Sequence, residues 1–174
     1  MIQRPSSSEY APFYSGYVKH VPEGADVMSV LAAQPAELRG LVGNLPDAQA
    51  NAHPSPGEWS VKEVVGHVCD TERVFAYRAL RIARGDETPL AGFDQNEYVR
   101  GTHFNARALG DLLDEFTYQR QANVICFRAL SEAEIARIGT ASESYVSVRA
   151  LVYMLAGHVI HHVVSLKTDY QISG

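Results

Sequence analysis

The stretch GHVIHHVVSL, residues 157–166, sets three histidines into an otherwise apolar run. A neutral imidazole offers a lone pair on one ring nitrogen, which can hold a transition metal or move a proton near neutral pH. His158 and His162 are four residues apart, so on a helix they stack on one face, the spacing that helical metal ligands use. Periodicity predicts such a helix from about Tyr145 to Asp169, through Val148, Leu151, Val152, Leu155, Val159, Val163 and Leu166. At about 100° per residue its apolar stripe centres on Val148, Leu155, Val159 and Leu166. His162 falls inside that stripe, His158 at its edge beside Leu151, and His161 well outside as a rim or solvated residue. Two imidazoles buried a turn apart cost free energy unless both find partners. Buried carbonyls could serve, but a metal ion would satisfy both at once.

A third ligand must come from another helix, and His67 is the best candidate. It lies in GHVCDTERVF, on the flank of a helix whose start is well marked. Ser60 can cap that helix, Glu63 can close a capping box, and Trp59 can staple onto Val64. Val61, Val64, Val65, Val68, Phe75 and Ile82 then keep helical spacing to about Arg84, and Gly85 stops it. His20, His53 and His103 fall in segments read as loops.

Depth tests the pairing. His67 sits about 10 Å down its helix from the Ser60 cap, at ~1.5 Å per residue. His162 and His158 lie about 10 and 17 Å from the end of theirs. The depths match only if the two helices are antiparallel.

Two further helices are predicted: a first from about Asp26 to Asn44, with Pro35 kinking or dividing it, and a third from about Ala106 to Leu130. Its apolar face carries Leu109, Leu112, Leu113, Phe116, Val124, Phe127 and Leu130. No segment alternates convincingly with period two, so the expected fold is an all-α four-helix bundle. An up-down-up-down order would separate His67 from the histidine pair. Up-down-down-up unites them, provided the link between helices two and three spans the bundle. The connector Asp86–Asn105 has some twenty residues and reaches up to about 66 Å, against ~37 Å for a 25-residue helix. One short helical turn is expected in it around Gln95–Val99, and Glu132–Ile138 can form another after helix three. Residues 1–26, rich in proline, glycine and tyrosine, read as an irregular leader.

Composition bounds the role. With 174 residues the chain makes one well-packed domain, 1–174, and its net charge of −5 offers no broad basic surface for nucleic acid. No apolar run is expected to reach bilayer-spanning length, and MIQRPSSSEYAPFYSGY lacks the hydrophobic core of a secretory signal. Cys69 and Cys126 stand alone inside helices, without a CxxC pair, which fits reduced thiols in a cytoplasmic protein.

WSVKEVVGHVCDTERVFAYRALRIARGDETPLAGFDQNEYV, followed by SVRALVYMLAGHVIHHVVSL, resembles the DinB-like superfamily and, within it, the metal-dependent hydrolases of the YfiT type. The resemblance runs from the first helix to the last. Its specific part is one histidine early in helix two plus HxxxH late in helix four, which maps onto His67, His158 and His162. It implies an up-down-down-up bundle, often dimeric, binding nickel, zinc or a similar divalent ion. Some relatives act as transferases or isomerases using a low-molecular-weight thiol such as bacillithiol or mycothiol. Pro35 within the first helix is atypical of the pattern.

Three imidazoles leave positions open on a cation, so the expected activity is a metal-dependent hydrolase or thiol transferase that turns water or a small thiol against an electrophilic substrate. The alternative is a non-catalytic bundle, stabilised by metal and acting through a dimer or partner surface. A DNA-binding role is suggested only by the family's name. Asp70, a turn after His67, is a candidate acceptor for a ligand's second ring nitrogen, although its wheel position favours solvent. His161 is a candidate acid–base group at the rim. The connector must deliver the chain beside the site, so Asp94, Asn96, Tyr98 and His103 are candidates for lining a pocket, or for ordinary loop capping. Arg120 and Asn123 fall on helix three's apolar line about 21 Å from its start, deeper than the histidines, where a buried ion pair or hydrogen-bond network is expected.

Overall fold

The computed structural model describes residues 1–173. Four long helices dominate it: α2 (Val27–Val42), α4 (Val61–Ala83), α6 (Leu109–Arg128) and α8 (Val148–Thr168). Short helices α1 (Ser15–His20), α3 (Asp47–Ala50), α5 (Gln95–Arg100) and α7 (Glu132–Ile135) fill the connections.

Local chemistry sets the ends. At α4 the Ser60 hydroxyl accepts from the Glu63 amide and the Glu63 carboxylate accepts from the Ser60 amide, the reciprocal box expected there. Asp26 caps α2 through the Ser29 amide, and Ser147 caps α8 through the Ala150 amide. Pro35 is buried within α2, which runs unbroken from Val27 to Val42 rather than in two pieces.

The long helices pack as a ring in which α4 and α2 each contact both α6 and α8. Their buried side chains form two layers. One holds Val27 and Leu31 of α2, Phe75 and Ile82 of α4, Val124 and Phe127 of α6, and Val148 and Ala150 to Ala156 of α8. The other holds Leu38 and Val42, Val61, Val64, Val65 and Val68, Leu109, Leu112, Leu113 and Phe116, and Val159 and Leu166. By length and apolar content α8 does reach what a bilayer span needs, contrary to expectation, but here most of it is buried as the core helix of the bundle.

The all-α expectation needs one correction. Strands β1 (Ile138–Ala141) and β2 (Ser144–Ser147) pair antiparallel, Ile138 opposite Ser147. The turn residues Ser142 and Glu143 both have positive φ, 49° and 60°, the geometry that matches hairpin twist. Leu90 of the connector bridges to Ala141, so the long link is anchored to this hairpin.

The leader is not irregular either. Two 3-10 turns at Ser7–Glu9 and Pro12–Tyr14 lead into α1, which lies across α8. Gly157 permits that crossing, because a Cβ there would collide with the Tyr17 carbonyl. Arg149 of α8 clasps Glu9 with two hydrogen bonds of 2.6 and 2.7 Å. That guanidinium helps hold the Glu9 carboxyl down at about 2 although burial pushes it up.

Candidate metal centre

The depth match between α4 and α8 is realised in space. His67 and His158 are buried, 2% and 3% exposed, and His162 is half-buried beside them. Nε2 of His158 lies 2.9 Å from Nε2 of His67 and 3.1 Å from Nε2 of His162, and the three ligand atoms all fall within 4.8 Å of one another. Tyr170, just beyond α8, donates from its hydroxyl to the Trp59 carbonyl at 2.7 Å, locking the end of α8 to the start of α4.

A ring nitrogen carries one in-plane site, either a proton or a lone pair. The His158 Nε2 therefore cannot make good hydrogen bonds to both neighbours. Protonating the cluster is opposed as well. Burial, together with the neighbouring imidazole His161, lowers the pKa of His67 to about 4. Burial first, and then the other histidines, push His158 and His162 well below the usual range. Three neutral donors converging on one point are the donor set of an imidazole-bound transition metal, so the residues present fit such an ion.

Aromatic rings fix the imidazoles. Trp59 packs on His67 at 4.8 Å between centroids, and Tyr17 of α1 meets His158 edge-on at 5.3 Å. A cavity of about 450 Å³ opens beside His158, bordered by Tyr14, Tyr17, Thr71, Phe75, Phe93 and Asp94 among others.

The remaining candidates scatter. Asp94 borders this cavity while its Oδ1 caps α5 through the Asn96 and Glu97 amides. Asn96 lies instead on a separate surface hollow with His53, Trp59 and Glu63. Tyr98 is exposed and packs its ring, tilted, against Phe93 at 5.2 Å between centroids, and His103 is exposed at the start of a 3-10 turn, Phe104–Ala106. Asp70 is half-buried near Arg73, Arg107 and Glu115. His161 is exposed, as its phase indicated, and sits between Tyr17 and His20 at 5.6 and 5.7 Å. Sequence reasoning missed Tyr17, Trp59 and Thr71 as neighbours of the site. Thr71, four residues after His67, was findable from helical phase; Tyr17 had no local signal.

Deeper in the bundle lies the network anticipated for Arg120 and Asn123. Arg120 binds Glu72 through Nε and Nη2 at 2.9 and 2.7 Å, and Asn123 donates to the same carboxylate at 2.7 Å. Gln34 accepts from Arg120 and donates to the Ala156 carbonyl at 2.7 Å. All four long helices meet in it.

A bundle of this shape has relatives. The model of the DinB superfamily matches residues 31–164, and the chain belongs to that superfamily. Among solved structures it is similar to YfiT from Bacillus subtilis, described as a probable metal-dependent hydrolase with an unusual four-helix bundle topology. The two are 19% identical over 95% of each chain, with a TM-score of 0.75, a likeness of fold. No curated protein matches the chain.

Proposed function

We propose that this chain is a divalent-metal-dependent enzyme in which His67, His158 and His162 hold the ion and the adjoining cavity receives a small electrophilic substrate. The observation that carries the reading is the convergence beside a cavity of three Nε2 atoms, those of buried His67 and His158 and of half-buried His162, whose central member cannot hydrogen-bond well to both neighbours. Zinc or nickel suits such donors. A bound ion would supply Lewis acidity that makes water or a small thiol nucleophilic at neutral pH. The chain's own part is to keep the imidazoles neutral by burial, to fix their planes with Trp59 and Tyr17, and to shelter the substrate among aromatic walls.

An up-down-down-up order belongs to this reading. Supporting it, α2 and α8 begin in the layer around Phe75 and end in the layer around Val65, whereas α4 and α6 run the other way. A cytoplasmic homodimer with reduced Cys69 and Cys126 completes the reading. Description of the YfiT neighbour as a probable hydrolase favours water as nucleophile; a thiol transferase uses the same ligands.

The test is turnover of esters, epoxides and activated halides by chelator-treated and zinc- or nickel-reloaded protein, with and without an added thiol. Turnover that requires metal while helicity stays constant supports catalysis, and dependence on thiol selects the transferase. Stoichiometric metal with no turnover in any class would identify a metal-stabilised, non-catalytic module.

A further inference from the structure

Arg78 is 3% exposed, yet no carboxylate among the described residues pairs with it. Its hydrogen bonds leave from Nη2 alone, to the Ala91 carbonyl at 2.7 Å and the Ser142 hydroxyl at 2.9 Å. The guanidinium lies 5.7 and 5.8 Å from the ring centres of Phe75 and Phe93. Those two rings and Ser142 also border the cavity beside His158. A desolvated cation with two neutral acceptors and two π-faces still has donors in want of an anion.

Thr71 provides an independent observation. It is 2% exposed and borders the same cavity, and its hydroxyl has no hydrogen-bond partner. A threonine inside a helix can bond back to the carbonyl four residues earlier, as Thr117 does to Leu113 at 2.7 Å. Thr71 does not. His67, Thr71 and Arg78 stand at offsets of four and eleven, within about 40° of arc on α4. Of these three, Thr71 borders the cavity itself, while the Arg78 guanidinium lies behind its Ser142, Phe75 and Phe93 wall. Asp94, also at the cavity, disfavours a second negative charge on whatever enters, although two amides already hold its Oδ1.

We infer that the cavity binds a small aromatic monocarboxylate, its carboxylate at the Ser142 end, drawn there by the Arg78 guanidinium behind that wall, and a polar substituent on the Thr71 hydroxyl, toward His158. This deepens the enzymatic reading by naming a substrate class and rests on that reading only for its catalytic meaning. The aromatic walls favour a flat ring, and the forked guanidinium favours a planar carboxylate.

Calorimetric titration of the full-length, metal-free chain tests it, using benzoate, its neutral isostere benzamide, 4-hydroxybenzoate and inorganic phosphate. The expected result is benzoate at least ten-fold tighter than benzamide, with 4-hydroxybenzoate tighter still and phosphate weaker. Arg78→Gln should erase the preference for benzoate over benzamide, Arg78→Lys should restore part of it, and Thr71→Val should remove the advantage of 4-hydroxybenzoate. Equal binding of benzoate and benzamide by the unaltered chain, absence of benzoate binding, or tighter binding of phosphate would each overturn the assignment without any variant having to fold. An Arg78→Gln protein of lower melting temperature but unchanged preference would also overturn it, leaving Arg78 as a strut between connector and hairpin. Failure here with stoichiometric metal uptake leaves the metal reading intact; a carboxylate preference in a chain that takes up no metal keeps the subsite and removes the metal.

Discussion

Two polar clusters are buried in this bundle, and they solve opposite problems. Around Arg120 every charge meets a counter-charge and the hydrogen bonds reach across all four long helices. Around His158 three ring nitrogens converge, and the central one cannot hydrogen-bond well to both of its neighbours. A closed network costs least when left alone, whereas converging lone pairs cost free energy until something binds them. The first is therefore a structural knot, and the second is the cluster proposed to receive an ion.

The largest effect should come from opening the closed cluster. Arg120→Met strands the Glu72 carboxylate in the core and should cost about 3–5 kcal/mol in a denaturant titration. Adding Glu72→Gln should recover part of that loss, because the stranded charge disappears. The corresponding change in the open cluster, His158→Leu, should leave the metal-free protein within about 1 kcal/mol of its original stability at pH 7, since a buried imidazole is exchanged for a side chain of similar size. A loss as large as that of Arg120→Met would erase the distinction.

Acid should separate the clusters next. The folded-state pKa of His67 lies below its ordinary value, so the unfolded chain binds more protons and stability falls as pH drops through 6.5 toward about 4. For His67 alone the loss is on the order of 3 kcal/mol at the bottom of that window. Metal-free protein should show this slope in melting experiments from pH 7 to 4, and zinc should move its onset to lower pH. A flat profile between pH 6.5 and 4 would mean that the imidazoles are not desolvated.

The smallest effect compares two threonines. Thr117→Val removes a satisfied hydroxyl and should cost up to about 1 kcal/mol, whereas Thr71→Val removes an unsatisfied one and should be neutral or stabilising by about 0.5–1 kcal/mol. Thermal melts of the two variants read the difference directly.

Much of this was legible in the residues, for reasons particular to each. The capping box at Ser60 and Glu63 is a short-range interaction and declared the start of α4 outright. Helical phase separated His161 from His158 and His162, because α8 is long and regular. His67 was reachable since depth along a helix is a matter of counting. Arg120 and Asn123 announced a network by being polar on an apolar face, but Glu72 and Gln34 did not, because their pairing is decided across helices. The hairpin escaped notice because its turn residues, Ser142 and Glu143, lack the glycine or asparagine that normally signals positive φ. The packing of Tyr17 on His158 depends on the crossing of α1 and α8 at Gly157, which no local pattern announces.

The central claim is that the open cluster is a metal site, and equilibrium dialysis against zinc at neutral pH with elemental analysis tests it most directly. The account predicts one ion per chain, with affinity reduced more than about 100-fold in His158→Ala, a larger loss than changing a residue behind a ligand causes. Stoichiometric metal that survives replacement of both His67 and His158 by alanine, or no uptake by the unaltered chain, would contradict it.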